Sequence, residues 1–411
     1  MLDPNIIRDN PDLVRKKIQD KGVDAKLVDK FLDIDERWRG EVARADELRA
    51  QKNKLGKEDR EEARRLKEET KSLEEGLRAI EIERDALLVE FPNLAEDRVP
   101  VGASEEDNVV LKEVGKKPEF KFPAKDYLEV AGNMIDTQRA AKVSGSRFGY
   151  IMGDLVLLEF ALVRFVMDKL VPLGFIPVVP PVLIKPEPMK GMGKSKFIDD
   201  GDAFYLEKDD LYLVGTAEDT IGAMHMKETL SDKDLPLRYV GFSSAFRREA
   251  GSYGKDTRGI LRVHQFDKVE MFSFTRPEDS VKENDFLLEC QEEIVSALGL
   301  PYRVVHICTG DMGFSASNQF DVETWIPSEG KYRETHSCSN TTDFQARGLS
   351  IKYASGGESK YVHTLNATGV AIGRTLISIL ENYQSKDGTV KVPKVLQNYV
   401  GKKEIKKSGD S

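Results

Sequence analysis

The chain is most informative at Phe246-Arg247-Arg248-Glu249-Ala250-Gly251 and at Arg262-Val263-His264-Gln265-Phe266-Asp267-Lys268-Val269-Glu270. Residues 252–259, which join these two stretches, are polar and contain glycine, a composition typical of loops. Two strand-like segments joined by such a loop predict a β-hairpin with a long polar tip. The hairpin is the first indication that this part of the chain forms an antiparallel sheet.

This hairpin would collect charged and aromatic side chains on one surface. Because successive side chains of a strand point to opposite faces, Arg247 shares a face with Glu249. One face of the returning strand carries His264, Phe266, Lys268 and Glu270. From this pattern alone, a binding surface and a set of solvated cross-strand ion pairs are equally good interpretations.

The overall composition is that of a soluble globular protein. A length of 411 residues predicts two domains or one large domain. Hydrophobic residues make up 40% of the chain and charged residues 32%, which excludes membrane, collagen-like and low-complexity classes. No apolar run approaches the roughly 18 residues of a membrane span, and the first residues lack a secretory pattern. We therefore expect a cytoplasmic protein that does not bind a membrane.

Charge and cysteine content limit the kinds of site. The formal net charge of −9 predicts no global attraction to nucleic acid, so any such binding must use a local basic patch. The cysteines are Cys290, Cys308 and Cys338, which are widely spaced and form no C-x-x-C pair. This pattern indicates neither a disulfide framework nor a zinc site, and we expect Cys290 and Cys308 to be unreactive or buried thiols.

Residues 35–90 have the composition of long helices, since they are rich in Glu, Lys, Arg, Leu and Ala and almost free of proline. Apolar residues recur every three, four or seven positions in each half, with a break at residues 55–59. This periodicity predicts two antiparallel helices packed stripe to stripe as a coiled-coil hairpin. The two stripes are Phe31, Ile34, Trp38, Val42, Ala45, Leu48 and Leu55, and Ala63, Leu66, Leu73, Leu77, Ile80, Leu87 and Phe91.

Proline, glycine and acidic residues between 92 and 107 predict a linker, so we divide the chain into domains 1–102 and 103–411. In the second domain, strand-like runs at 175–179, 211–214, 237–246 and 261–274 accompany helical runs at 155–170, 279–298 and 370–383. Several strands follow one another without a helix between them, which predicts an α+β fold with a mixed, mainly antiparallel sheet. The sequence contains no P-loop or dinucleotide-binding glycine motif.

The Phe-Arg-x-Glu strand and its return resemble motif 2 of class II aminoacyl-tRNA synthetases, at about residues 242–272. Gly369-x-x-x-Gly373-Arg374, at a predicted helix start, resembles motif 3, at about residues 365–383. Gly174-Phe175-Ile176-Pro177-Val178-Val179-Pro180-Pro181 resembles motif 1, the dimer-interface element. Within the class, the chain is similar to the seryl-tRNA synthetase family at Thr216-Ala217-Glu218, Arg333-Glu334-Thr335-His336-Ser337-Cys338-Ser339-Asn340, Asp343-Phe344-Gln345-Ala346-Arg347 and Leu365-Asn366-Ala367-Thr368-Gly369.

The resemblance implies an ATP site. Arg247 would contact the α-phosphate, because a planar, permanently charged donor stabilises the charge that develops there. Phe266 and Arg374 would hold the adenine ring between them, and Glu249 would accept a hydrogen bond from its amino group. Glu334 and Ser337 would hold Mg²⁺ through hard oxygen ligands, and no zinc is expected. The implied ATP-binding residues are Arg247, Arg248, Glu249, Val263, Phe266, Glu334, Thr335, His336, Ser337 and Arg374.

The resemblance also implies a site for L-serine. Glu270 would bind the ammonium group, and Thr368 the hydroxyl, a hydrogen bond on which discrimination depends. A helix N-cap is the alternative role for Thr368, since it precedes a predicted helix. The implied serine-binding residues are Thr216, Ala217, Glu218, Arg247, Glu270 and Thr368, and the implied catalytic residues are Arg247, Glu270 and Arg374.

Three features depart from the usual family pattern. Ala367-Thr368 stands where many members have Gly-Ser, which keeps a hydroxyl and therefore leaves serine as the expected substrate. His336 stands where many have Ser, and a hydrogen-bonding or packing role is favoured over Mg²⁺ ligation. The helical hairpin is short at its tip but rich in basic residues there, so it could contact tRNA phosphates. The alternative is a solvated charged coiled coil; the candidate tRNA contacts are Arg49, Lys52, Lys57, Arg60 and Arg64.

Together these features predict a homodimer that activates serine with ATP and transfers the seryl group to tRNA(Ser), with tRNA(Sec) as a further candidate. One alternative is a relative that activates serine but loads a carrier protein or no tRNA. Another is a catalytically silent scaffold that binds RNA or protein. The basic hairpin tip argues against the first alternative. The intact set of charged residues, namely Arg247, Glu249, Glu270, Glu334 and Arg374, argues against the second.

Overall fold

The computed structural model describes residues 1–55, 59–251 and 258–406. The chain divides into two compact units, Met1–Leu94 and Ala95–Ser411. Within the described residues, no helix is long and apolar enough to cross a membrane.

The elements follow the chain in this order. The α-helices are α1 (Pro4–Asp9), α2 (Pro11–Gln19), α3 (Lys26–Asn53), α4 (Arg60–Val89), α5 (Tyr127–Ala131), α6 (Thr137–Ser144), α7 (Asp154–Leu170), α8 (Pro186–Gly191), α9 (Ser195–Asp199), α10 (Glu218–Ala223), α11 (Ser280–Ala297), α12 (Phe344–Leu349), α13 (Ile372–Asn382) and α14 (Gln397–Val400). The strands are β1 (Val109–Val114), β2 (Ile135–Asp136), β3 (Tyr150–Ile151), β4 (Phe175–Val178), β5 (Leu183–Ile184), β6 (Tyr205–Leu206), β7 (Leu211–Leu213), β8 (Thr229–Ser231), β9 (Leu237–Phe246), β10 (Gln265–Thr275), β11 (Tyr302–His306), β12 (Asn318–Ile326), β13 (Lys331–Asn340), β14 (Lys352–Ser355), β15 (Glu358–Tyr361), β16 (His363–Ala371), β17 (Val390–Lys391) and β18 (Glu404–Ile405).

The first unit is built around the long helices α3 and α4, as the apolar periodicity predicted. Phe31, Ile34, Ala45 and Leu48 of the first predicted stripe are buried, and Leu66 of the second is buried with them. Burial of these side chains removes apolar surface from water and holds the two helices together. The predicted turn at 55–59 falls mainly on residues 56–58, which lie outside the described residues.

A buried carboxylate lies within this helical unit. The side chain of Asp35 is fully buried and contacts three guanidinium groups, those of Arg8 at 3.2 Å, Arg39 at 3.0 Å and Arg84 at 2.8 Å. The guanidinium of Arg84 also lies 4.4 Å from the ring centroid of Trp38. This cluster ties α1, α3 and α4 to one charged group.

The second unit contains the predicted α+β fold, which the structure confirms. Within the described residues, eight strands form a sheet in the order β1-β11-β12-β13-β16-β10-β9-β4. Neighbouring strands in it are antiparallel except for β4 and β9. The predicted hairpin is the β9–β10 pair, in which Phe246 lies opposite Gln265. Helices α7, α11 and α13 contribute to the core on one side of the sheet.

One sequence prediction is wrong at motif 3. Thr368 and Gly369 belong to strand β16, and helix α13 begins only at Ile372, so Thr368 is not a helix N-cap. The ladder with β10 continues to the pair Lys268–Ala371, which keeps this backbone extended. At Gly369 an added Cβ would lie 3.2 Å from Val166 and Val269, so the close packing of the strand favours glycine there.

Candidate active site

Two adjoining cavities lie at the end of the β9–β10 hairpin. One has a volume of about 120 Å³ and the other of about 520 Å³. The side chains that line both are charged, and the cavities therefore form one polar site between the hairpin, β13 and the start of α13. The shared lining residues are Arg247, Glu249, Arg262, Glu334 and Arg374.

Strand β10 supplies the floor of the smaller cavity. Phe266 and Lys268 line it, and the Lys268 Nζ lies 2.6 Å from the Glu270 carboxylate, so these alternate side chains share one face. Asp267 lies between them in the chain and instead pairs with Glu159 of α7 on the other face. The alternation inferred from the sequence therefore describes the site from Phe266 to Glu270.

Arg247 directly follows β9 and points into the site. Its Nε donates a hydrogen bond to the Gly215 carbonyl oxygen at 3.1 Å, and its guanidinium lies 5.4 Å from the Phe266 ring centroid. These contacts place a permanent positive charge against an aromatic face, an arrangement that favours cation–π attraction. The guanidinium that lies against the Phe266 ring is therefore that of Arg247.

Glu249 is held by a residue that the sequence analysis did not single out. The Arg262 Nη1 lies 2.7 Å from the Glu249 carboxylate. The backbone of Glu249 has a φ of 55°, a left-handed conformation that is uncommon for a residue with a Cβ. Such strain is frequent at functional sites because the surrounding contacts hold it. The loop prediction for residues 252–257 lies outside the described residues.

A β-bulge brings Glu334 and Ser337 to the same face of β13. Residues three apart in a regular strand point to opposite faces, but the register of β12 and β13 shifts here. Glu334 therefore lies opposite Glu323, and Ser337 opposite Asp321. The Arg374 Nη1 lies 3.1 Å from the Glu334 carboxylate, and the attraction of this guanidinium lowers the pKa of Glu334.

Asp321 is a further acidic group at this position that the sequence analysis missed. Burial raises its pKa well above the usual range, the nearby Glu334 raises it further, and a hydrogen bond with Ser337 opposes the shift. Only the strand register brings Asp321 next to Ser337, because the two are far apart in sequence. The oxygen atoms of Glu334 and Ser337 suit Mg²⁺. The described residues contain no group of three or more His, Cys, Asp or Glu side chains arranged to hold a metal.

The residues predicted to bind the substrate serine separate into two groups. Thr216, Glu270 and Thr368 lie together: the Thr216 hydroxyl donates to the Glu270 carboxylate at 3.2 Å, and Thr368 lines the smaller cavity. Burial raises the pKa of Glu270, while Lys268 and the Thr216 hydroxyl lower it. These groups form a buried polar subsite beside Arg247.

Ala217 and Glu218 instead stabilise the wall behind this subsite. Ala217 is fully buried among apolar side chains. The Glu218 carboxylate is bound by Lys194 at 3.0 Å and by the Gln345 amide at 2.8 Å. Lys194 is a third residue that the sequence analysis missed.

Of the remaining residues predicted to bind ATP, some line the cavities and others do not. Val263 and Thr335 line the smaller cavity. The Arg248 Nε donates to the Ala203 carbonyl oxygen at 3.1 Å, and its guanidinium lies over Phe204, outside both cavities. His336 lies opposite the core residue Val322, on the other face from Glu334. Burial lowers the pKa of His336 to about 4, so the imidazole is neutral at physiological pH.

The candidate tRNA residues belong to the helical unit. Arg49 contacts Asp46 and Glu74, each at 2.7 Å, and Arg64 contacts Glu68 at 3.1 Å. Lys52 and Arg60 are exposed. Lys57 lies outside the described residues. The basic side chains are thus on the helix surface, several of them in exposed ion pairs.

The antiparallel sheet, the Phe-Arg-x-Glu hairpin and the arginine-lined site define a class II aminoacyl-tRNA synthetase. In agreement, residues 204–383 match the family model "tRNA synthetase class II core domain (G, H, P, S and T)". Residues 1–95 match the model "Seryl-tRNA synthetase N-terminal domain".

Full-length relatives narrow the class to one family. The chain is 47% identical to the serine–tRNA ligase of Acidothermus cellulolyticus, over 98% of each chain. It superposes with a TM-score of 0.94 on the seryl-tRNA synthetase of Pyrococcus horikoshii complexed with ATP, at 39% identity, covering 99% of this chain and 100% of the other. The cytoplasmic serine–tRNA ligase of Naegleria fowleri in complex with AMP gives a TM-score of 0.90 at 34% identity, covering 100% and 99%. The chain belongs to the seryl-tRNA synthetase family, as the sequence motifs predicted.

Proposed function

We propose that this chain is a serine–tRNA ligase. It joins L-serine to the AMP portion of ATP with release of pyrophosphate, and then transfers the seryl group to the 3′ end of tRNA(Ser) with release of AMP. The observation that carries the proposal is the cavity that unites Arg247, Phe266, Glu334 and Arg374 beside the Thr216–Glu270 subsite. Charging of tRNA(Sec) stays a prediction. The three cysteines are free and buried, which fits the reducing cytoplasm as the proposed compartment.

The proposed activation step depends on positioned charge rather than on a protein nucleophile. The serine carboxylate attacks the α-phosphorus of ATP, and the bond to the leaving pyrophosphate breaks. Arg247 stabilises the negative charge that develops on the α-phosphate, since its charge is permanent and its donors are preorganised. Phe266 and Arg374 hold the adenine ring, and Glu249, itself oriented by Arg262, accepts from the adenine amino group.

We assign Glu334 and Ser337 as the residues that hold Mg²⁺. The support is chemical: both offer hard oxygen atoms from one face of β13, and Asp321 beside them is a buried carboxylate with a raised pKa. Bound Mg²⁺ would neutralise charge on the phosphates. The Arg374 guanidinium lies 3.1 Å from the Glu334 carboxylate.

Serine recognition is assigned to three side chains. Glu270 takes the ammonium, Thr216 orients Glu270 through its hydroxyl, and Thr368 takes the serine hydroxyl. A buried group that is built to bond a hydroxyl rejects an analogue without one, because the site is then left unpaired. This assignment predicts strong discrimination against L-alanine.

A homodimer completes the proposal. Large apolar side chains of α7 and of the motif 1 segment are exposed, including Phe160 at 60% and Val179 at 81%. We infer that these side chains contribute to the dimer interface, since exposed apolar patches mark protein–protein contacts. The helical unit, with its exposed basic residues, is assigned to tRNA binding through phosphate contacts.

The direct test is to measure serine-dependent pyrophosphate exchange and aminoacylation of purified tRNA on the same preparation. We expect both activities with serine, loss of exchange when Mg²⁺ is chelated, and no restoration by zinc. L-alanine should be activated at a rate lower by about 10⁴. Exchange without tRNA charging would favour the carrier-loading alternative, and absence of both would favour the silent scaffold. Equal activation of alanine would refute the assignment of Thr368, and light scattering tests the dimer.

A further inference from the structure

The Glu270 carboxylate already has a cationic partner. Lys268 Nζ lies 2.6 Å from it, and both residues are buried, with relative exposures of 8% for Lys268 and 2% for Glu270. Both belong to β10, and Lys268 lines the same cavity as Arg247 and Thr368. The position assigned to the ammonium of serine therefore borders an ammonium group supplied by the protein.

Such a partner has a physical reason. A buried carboxylate without a counter-charge is strongly disfavoured, and burial by itself raises the pKa of Glu270. The attraction of Lys268 acts in the opposite direction, because it favours the charged form of the carboxylate. An ionised Glu270 is what an incoming ammonium needs, but a second cation at the same oxygen would meet repulsion from Lys268.

Lys268 also has a second set of partners within reach of its side chain. It lines the smaller cavity together with Glu334 and Arg374. The α-phosphate is assigned to Arg247 on the same cavity wall. A lysine has a flexible four-carbon stem and three donors, so it can turn from a carboxylate to a phosphate without movement of the strand.

We propose that Lys268 is an exchangeable counter-ion: the ammonium of serine replaces its Nζ at Glu270, and the displaced Nζ turns to the phosphates of ATP. Each substrate then provides what the other needs, because ATP draws Lys268 away from Glu270 and serine releases it toward ATP. By linkage, the two substrates must strengthen each other's binding by the same factor. Lys268 is thus a positioning residue that couples the two subsites, and this inference rests on the proposed assignment of Glu270 and Arg247.

The first experiment uses the unmodified protein. Calorimetry would give the dissociation constant of L-serine with and without Mg²⁺ and α,β-methylene-ATP, which cannot form the adenylate. We expect the nucleotide to tighten serine binding by about tenfold, within the usual range of coupling between sites. L-glycerate, in which a hydroxyl replaces the ammonium, cannot displace Lys268, and its binding should change by less than about twofold. Equal tightening of serine and glycerate, or tightening of neither, would overturn the proposal.

The second experiment removes the counter-ion. In Lys268→Met the coupling between serine and α,β-methylene-ATP should fall to within about twofold, whereas Lys268→Arg should retain part of it. The matched control is Lys112→Met, which breaks a lysine–carboxylate pair of 2.9 Å with Glu292 outside the site and should keep the full coupling. Full coupling in a folded Lys268→Met protein would refute the exchange. If the unmodified protein bound no serine at all, the proposed function itself would fail, which is a different result.

Discussion

The helical unit and the candidate active site use the same kinds of charged residue in opposite environments. On the helices, Arg64 and Glu68 form an ion pair with side chains that are 80% and 69% exposed. In the site, Lys268 and Glu270 form one with side chains that are 11% and 3% exposed. An exposed pair contributes about 0.2 to 1 kcal/mol, whereas breaking a buried pair leaves an uncompensated charge at a cost of about 3 to 5 kcal/mol. Burial rather than residue type therefore decides which charges matter most.

One charged group in the helical unit is buried, as the charged pair in the site is. Asp35 is fully buried between three arginines, although it lies on a helix whose other acidic residues are mostly exposed. It provides the strongest test of the comparison, because it isolates burial from the kind of secondary structure.

We expect Asp35→Ala to lower the free energy of unfolding of the helical unit by about 3 to 5 kcal/mol, since three guanidinium groups lose their shared carboxylate. The fluorescence of Trp38 reports locally, because Trp38 stacks on Arg84, and a Trp325→Phe background leaves it as the only tryptophan. Urea titration of both proteins gives the difference. The control is Asp46→Ala, whose exposed pair with Arg49 should contribute much less than the buried cluster. Equal losses in the two variants would contradict the role of burial.

The second prediction compares two neighbouring arginines. Arg247→Ala should lower the rate of serine-dependent pyrophosphate exchange by about a hundredfold, or about 3 kcal/mol, because one preorganised donor to the transition state is lost. Arg248→Ala should have a smaller effect, since that side chain contacts Ala203 and Phe204 outside the cavities. Circular dichroism should show both variants folded. Exchange at the original rate in Arg247→Ala would remove the basis of the site assignment.

The third prediction concerns the exposed charged residues at the tip of the α3–α4 helical hairpin. Replacing residues 49–71 by a short turn should leave pyrophosphate exchange unchanged, because none of these residues lines the described cavities. The same change should weaken transfer to tRNA by about tenfold and flatten the salt dependence of tRNA binding by roughly one unit of slope per lost phosphate contact. Exchange, charging and binding would be measured over one salt series. Unchanged charging and slope would mean that the tip does not contact tRNA.

The sequence was sufficient for the helical hairpin and for the β9–β10 hairpin, since each depends on a local period of apolar side chains. It was not sufficient for Asp35 and Arg84, because a buried charge on a long helix has the same local pattern as an exposed one. Trp38 belongs to the predicted stripe, but only the packed structure reveals the Arg84 guanidinium against its ring.

Within the site, the motif-based predictions and the geometry differ for identifiable reasons. A period of two places Glu334 and Ser337 on opposite faces, and only the bulge in β13 reverses that result. Asp321 and Lys194 were missed because they reach the site through strand register and chain folding rather than through local sequence. Motif 3 suggested a helix start at Gly369, but pairing with β10 extends the strand to Ala371.

The charged cluster around Asp35 also fixes the helix pair near one of its ends. Three helices are anchored to one carboxylate near the base, and α3 continues from there for about 27 Å to Asn53 at 1.5 Å per residue. A rotation of α3 by about 10° at the Asp35 cluster would move Asn53 by about 5 Å, roughly the pitch of one helical turn. The orientation of the far end of the helix pair therefore depends on charged groups that lie about 27 Å away from it.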